Sequence, residues 1–304
     1  MSVPRADIAL LTDRRYVAAA AAPDDWYLGN ILADDGLLQA ELASRGLTSI
    51  RVDWADPAVE WSAFRCVVFR TTWDYFERLG EFSAWLDAVA GRTRLCNDRD
   101  TVRWNIDKHY LADLERGGVP VVPSRFIERG TTAPLGELLA ASGWDEAVIK
   151  PCVSGAARHT YRVSPDTVAR IDAIVRPLLV VESFLLQPFL PDVVATGEDT
   201  LVVIDGQCTH ALRKRAKPGD FRVQDDHGGT VHECQPSTAQ VELAERAMAA
   251  CPRRPAYGRV DMVRDREGRH LVMELELVEP ELWLRRHPPA AAALAAAIAR
   301  VVEA

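Results

Sequence analysis

The 304-residue sequence is informative first for what it does not contain. Neither Gly-x-Gly-x-x-Gly nor Gly-x-x-x-x-Gly-Lys-Ser/Thr occurs, which removes the Rossmann turn and the P-loop from consideration. The six cysteines (Cys66, Cys96, Cys152, Cys208, Cys234 and Cys251) form no Cys-x-x-Cys pair, and several sit in apolar runs. Buried thiols in a reducing cytoplasm are expected, not disulfides or zinc. The amino terminus lacks a signal peptide's apolar core, and the alanine run 290–297 is too short for a membrane span. A net charge of −8 lacks the basic excess that a nucleic-acid partner held by counterion release would need. No Ser/His/Asp or Cys/His arrangement stands in recognisable context, and there are no internal repeats. What is left is a cytoplasmic globular protein, 48% hydrophobic and 26% charged, with a core large enough for two or three subdomains.

The first third alternates as a small α/β unit. Short apolar runs at 7–12, 48–52 and 66–70 predict strands. Helical spacing over 30–45 ends at Gly46, and a second helix is expected over 81–89. This order implies a small parallel sheet, whose ligands gather beyond the carboxyl ends of its strands. Arg70, Thr71, Thr72, Trp73, Asp74 and Tyr75 stand there, and they read equally as the wall of a substrate pocket or as a loop anchored by Trp73.

Further along, Asn105 reads as the cap of a helix running through Lys108 to Gly117. Lys150 closes an apolar strand just before Pro151, so it is expected to be partly buried and to need an anionic partner. The small residues Ser154, Gly155, Ala156 and Ala157 then let main-chain N–H groups approach an anion, which suggests a flap over phosphates. A strand enters Gln187, Pro188, Phe189 and Leu190, either a domain crossover or an edge offered to an adenine ring. A hairpin turning at Asp205 and Gly206 leads into a basic run containing Lys214 and Arg222. His210 reads as structural, and Ser237 as the cap of an amphipathic helix.

The most telling stretch is 257–276. Asp265, Arg266, Glu267 and Gly268 are turn residues, so the stretch predicts a hairpin. Strand periodicity puts Arg259 with Asp261 on one face and Glu274 with Glu276 on one face. If those faces coincide, three carboxylates crowd together, and a hard cation such as Mg²⁺ relieves the repulsion. A solvated hairpin face is the plainer alternative.

Taken in order, Lys108, the 148–151 strand, the 187–190 segment, Lys214, Arg222, Arg259 with Asp261, and Glu274 with Glu276 resemble the ATP-grasp superfamily of carboxylate–amine ligases. The resemblance implies a small parallel pre-ATP-grasp domain (1–104), then a central α+β subdomain with the flap (105–186) and a C-terminal α+β subdomain with the metal site (187–304), the last two clamping ATP. It further implies that Lys108, Lys150, Ser154 and Gly155 meet nucleotide phosphates and that Gln187, Pro188, Phe189 and Leu190 line the adenine site. Lys214 and Arg222 would meet the γ-phosphate, and Asp261, Glu274 and Glu276 would hold two Mg²⁺, Mn²⁺ serving as an alternative. Arg259 would face the oxyanion of the reacting carboxyl. Two departures stand out: the flap has a single glycine where many relatives have several, and Glu276 stands where relatives carry asparagine. The 70–75 loop, 105–108 and 217–224 resemble the branch containing the O-ureido-serine cyclo-ligase of D-cycloserine biosynthesis. That likeness implies intramolecular amide formation on a small amino acid, by ADP-forming chemistry. Joining two separate molecules, and ATP sensing without chemistry, are the competing expectations, and a homodimer is left open.

Overall fold

The structure is a computed structural model and describes residues 6–223 and 228–304; Gln224, part of the 217–224 segment, lies outside them. Three sheets organise the chain. The first holds β1 (Ile8–Thr12), β2 (Ser49–Asp53), β3 (Cys66–Thr71) and β4 (Arg94–Cys96) in the order β2-β1-β3-β4, all parallel. Its central strands β1 and β3 are buried along their whole length because helices cover both faces. On one side α1 (Trp26–Ser44) packs with the chain's last helix, and on the other α2 (Leu79–Ala90) presents Phe82 and Leu86 to Phe69 and Trp54. The first helix begins at Trp26, four residues before the apolar spacing starts, because the Asp25 carboxylate caps it by accepting from Leu28 N.

The stretch read as one helix after Asn105 is two. Helix α3 (Arg99–Ile106) is capped by Asp98, and α4 (Tyr110–Arg116) follows after a break at residues 107–109. Asn105 is therefore no cap. It lies in the last turn of α3, where its amide donates to Leu275 O at 2.7 Å and accepts from Leu277 N at 2.8 Å. The break is what points Lys108 away from solvent, and its main-chain N–H donates to Cys152 O.

The second sheet is built from β5 (Arg125–Ile127), β6 (Ala147–Pro151), β7 (Tyr161–Val163) and β8 (Phe184–Pro188), ordered β5-β8-β6-β7. Helices α5 (Leu135–Ser142) and α6 (Val168–Leu178) back it through Leu135, Leu139, Ile171 and Val175. After α7 (Asp192–Ala195) comes the third sheet: β9 (Glu198–Ile204), β10 (Gln207–Arg215), β11 (Thr230–Glu233), β12 (Tyr257–Arg264) and β13 (His270–Glu276). Its order is β11-β10-β9-β12-β13, and α8 (Thr238–Ala249), closed by a capping box between Ser237 and Gln240, packs behind it with α4. Helix α9 (Pro289–Glu303) returns to the first sheet.

Packing does not follow the divisions expected at 104/105 and 186/187. They fall inside α3 and β8, α4 belongs to the core of the third sheet, and α9 belongs to that of the first. Strand contacts settle such boundaries, and those contacts are not local in sequence. Among the described residues, no helix is long and apolar enough to cross a membrane.

Candidate active site between the second and third sheets

The hairpin of β12 and β13 supplies the centre. Gly268 takes φ +78°, which its turn requires, and the register pairs Arg259 with Glu276 and Asp261 with Glu274. Cross-strand partners project to one face, so all four charged side chains enter one cavity, whose volume is about 1020 Å³ with its mouth included. A bulge after Asp261 brings Met273 to the same cavity as an apolar neighbour.

Four cations face the three carboxylates, with Arg259 shared between Asp261 and Glu276. Lys108 Nζ lies 3.1 Å and Lys150 Nζ 3.7 Å from the Glu274 carboxylate. Burial would raise the Glu274 carboxyl, but the two lysines outweigh it and hold it down to about 2. The lysines themselves diverge. Burial opposes the charge on both, yet the closer Glu274 keeps Lys108 above its usual value while Lys150, farther off and repelled by Lys108, is lowered. Asp261 is held by Arg259 at 2.9 Å and Lys214 at 2.7 Å, and Thr200 donates to it. Its carboxyl, which burial alone would raise, is driven far below the usual range by those two cations. Glu276 pairs with Arg259 but stays crowded by Asp261 and Glu274; burial first, then those neighbours, push it up to about 7.

One residue of this cluster escaped the sequence reading. Glu198 is buried, forms an ion pair with Lys214, and is pushed up to about 7, chiefly by burial. Strand β9 begins at Glu198, and two-residue alternation with Thr200 aims both at the site. The charged start of that strand resembles a loop in composition, which hides it.

The small-residue turn at 154–157 and the 187–190 segment line the same cavity. Ser154 and Gly155 stand above the lysines, and Lys108 Nζ donates to Ser154 O at 2.7 Å. In place of further glycines, Ala156 and Ala157 take φ of 48° and 52°, so alanines hold the left-handed turn. A Cβ on Gly155 would lie 2.7 Å from the ring of Phe76 in the first domain, which is why glycine stands there. Gln187, Pro188, Phe189 and Leu190 form the opposite wall. The Gln187 amide donates to Ser124 Oγ, and Arg162 covers the Phe189 ring at 3.8 Å, so the segment is braced from behind. Arg222, ion-paired with Asp220, also lines the cavity.

The expected substrate wall is largely elsewhere. Arg70 is buried and donates to Asp35, and Thr72 is fully buried. Asp74 accepts from Trp54 Nε1 and pairs with Arg78, while Tyr75 packs on Phe82. Of the six residues of that loop, Trp73 alone lines a cavity of the site, a second one that shares Lys214, Arg259 and Glu276 with the first. Its other walls include Tyr16, Tyr27, Glu279 and Trp283, none of which the sequence reading singled out. Trp283 supports the Arg259 guanidinium at 5.2 Å.

A different trio, Asp107, His109 and Cys152, brings ligand atoms within 4.8 Å of one another. Both ring nitrogens of His109 already face carboxylates, and burial raises the Cys152 thiol, which disfavours the thiolate a metal would need.

With this geometry in place, the comparisons with known proteins are consistent among themselves. Residues 8–97 match the family described as D-cycloserine synthetase DcsG, N-terminal domain. The cycloserine biosynthesis protein DcsG of Streptomyces lavendulae is 36% identical over 259 residues, covering 79% of this chain and 84% of that protein. The crystal structure of D-cycloserine synthetase DcsG superposes with a TM-score of 0.83 at 32% identity over 97% of this chain and 99% of the other. D-alanine–D-alanine ligase of Bacillus anthracis shares the fold, with a TM-score of 0.66 at 14% identity over 98% of this chain and 97% of the other.

Proposed function

The chain belongs to the DcsG family of ATP-grasp ligases, and from that premise we propose that it closes the ring of O-ureido-D-serine to D-cycloserine by activating the substrate's own carboxylate. It is an ATP-dependent, ADP-forming ligase that makes a C–N bond. The carrying observation is the register of the hairpin, which pairs Arg259 with Glu276 and Asp261 with Glu274 in a cavity shared with two buried lysines.

The residues suit Mg²⁺ and a nucleoside triphosphate. Asp261, Glu274 and Glu276 offer the hard oxygen donors Mg²⁺ prefers, and Glu276, pushed up by burial first and by Asp261 and Glu274 after it, stands where added positive charge is favoured. Mg²⁺ bound there would neutralise charge on the transferring phosphoryl group. Lys108 and Lys150, now on Glu274, exchange it for phosphate oxygens when ATP enters. The segment 187–190 borders the adenine, and Lys214 and Arg222 face the γ-phosphate.

The substrate carboxylate attacks that phosphorus and ADP leaves. The oxygen-bound ureido nitrogen of the same molecule then attacks the acylphosphate, losing its proton and displacing phosphate. Arg259 faces the tetrahedral oxyanion as phosphate departs. Once the ring is closed, water removes the carbamoyl group as carbon dioxide and ammonia. Water would destroy the acylphosphate, and the flap resting on Phe76 excludes it. The activity belongs in the cytoplasm, where ATP is supplied.

One observation favours a second reading. The cavity beside Trp73 measures about 1300 Å³ with its open mouth, more than one small amino acid fills, as suits the joining of two molecules. Mass spectrometry on ATP, Mg²⁺ and O-ureido-D-serine alone separates the two. Ring closure predicts one ADP per cyclised product without a second amine; ADP formation only when another amino acid is added would refute it.

A further inference from the structure

We propose that Glu279 and the ring cluster Tyr16, Tyr27 and Trp73 hold the α-ammonium of the amino-acid substrate. The inference rests on the reading of this chain as an amino-acid ligase and names the side chains that select its substrate.

The second cavity meets the nucleotide cavity at Lys214, Arg259 and Glu276, so both open on one point of transfer. Most charges lining it are already matched. Arg15 pairs with Asp13 at 2.7 Å, Glu281 with Arg285 at 2.7 Å, Lys214 with Asp261 at 2.7 Å, and Glu276 with Arg259. Glu77 is exposed at the mouth. Glu279 differs: its carboxylate has no hydrogen bond or ion pair among the described residues, although it is only partly exposed and faces the cavity. Its place is nonetheless fixed. Trp73 Nε1 donates to Glu279 O at 2.9 Å, and the flanking Val278 and Pro280 are buried. A carboxylate held in position without a partner is costly unless a cation arrives.

The rings supply an independent argument. Tyr16, Tyr27 and Trp73 touch one another with centroids 5.5 to 5.8 Å apart, and all three line this cavity. Clustered aromatic faces beside an anion attract ammonium groups. In an α-amino acid the carboxylate and the ammonium are attached to one carbon. With the carboxylate turned to Arg259 and Lys214, the ammonium falls to the side where Glu279 and Trp73 meet.

Calorimetry on the chain loaded with a non-hydrolysable ATP analogue and Mg²⁺ tests this, using O-ureido-D-serine and its counterpart lacking the α-amino group. The wild type is expected to bind the amino acid at least about 10-fold tighter, the scale of a charged hydrogen bond. Glu279→Gln should erase that preference by weakening the amino acid alone, and Tyr27→Leu should reduce it. Binding of the ATP analogue, titrated in parallel, reports an intact fold. Equal affinity of the wild type for the two compounds, or equal weakening of both in Glu279→Gln, overturns the proposal while leaving the ligase reading in place. Should Glu279→Gln not fold, the wild-type preference and Tyr27→Leu decide between the same outcomes. A wild type that binds the nucleotide but neither compound would overturn the substrate class and the proposal with it.

Discussion

Gly155 rests against Phe76 so closely that a Cβ would stand 2.7 Å from ring atom Cε1. The flap of the second sheet and the loop after β3 of the first are thereby in direct contact over the cavity. Contact with Phe76 excludes a side chain at Gly155, while Ala156 and Ala157 hold the left-handed turn that glycines would otherwise supply.

Gly155→Ala is accordingly expected to lift the flap and lower kcat by about 10- to 100-fold, as displacements near 1 Å at a reacting centre do. Adding Phe76→Ala should recover part of the loss, because the obstructing ring is gone. A double variant as slow as Gly155→Ala alone would assign the effect to something other than this contact.

Glu274→Gln removes the anion shared by Lys108 and Lys150 and one oxygen donor of the cluster. Turnover is expected to fall by at least about 100-fold with an unchanged circular dichroism spectrum. The Mg²⁺ concentration giving half-maximal rate should rise as well. An unchanged rate would take this carboxylate out of the metal site.

Lys150→Ala deletes a buried cation whose charge burial opposes, a lysine poised to gain from a phosphate. We expect ATP affinity to fall by about 10- to 100-fold in calorimetry, the scale of a lost charged hydrogen bond. Near-normal binding would contradict its role.

Asn105→Ala leaves Leu275 O and Leu277 N, both bonded by the asparagine amide, without partners inside the protein. Destabilisation of about 2–4 kcal/mol follows from two unsatisfied buried groups. Urea denaturation would measure it, and a loss below 1 kcal/mol, small beside about 2 kcal/mol per pair, would mean that water replaces the clamp.

His210 stacks on His287 and bonds Leu282 O, and burial, then His287, lowers its pKa to about 4. The unfolded chain titrates near about 6.5, so the native state favours the neutral ring. This contribution is fully present above about pH 6.5 and is lost as pH falls toward 4, amounting to as much as about 3 kcal/mol. His210→Gln should flatten the stability curve in that window relative to wild type; parallel curves would refute the assignment.

The sequence by itself determined whatever depends on local period and turn chemistry. The alternation through Arg259, Asp261, Glu274 and Glu276, with Gly268 at the bend, is legible because side chains two apart on a strand share a face. Lys150 before Pro151, the Ser237 cap and the apolar strands of the first sheet are legible for similar reasons. The tertiary structure alone decided that the two faces of the hairpin coincide, since register depends on a bulge after Asp261. It decided that Asn105 clamps β13 instead of capping a helix, that Glu198 joins the cluster, and that Arg70 turns to Asp35 and away from the cavity. Each of these depends on a partner distant in the chain, and the energy of burying a charge is set by which partner the fold brings to it.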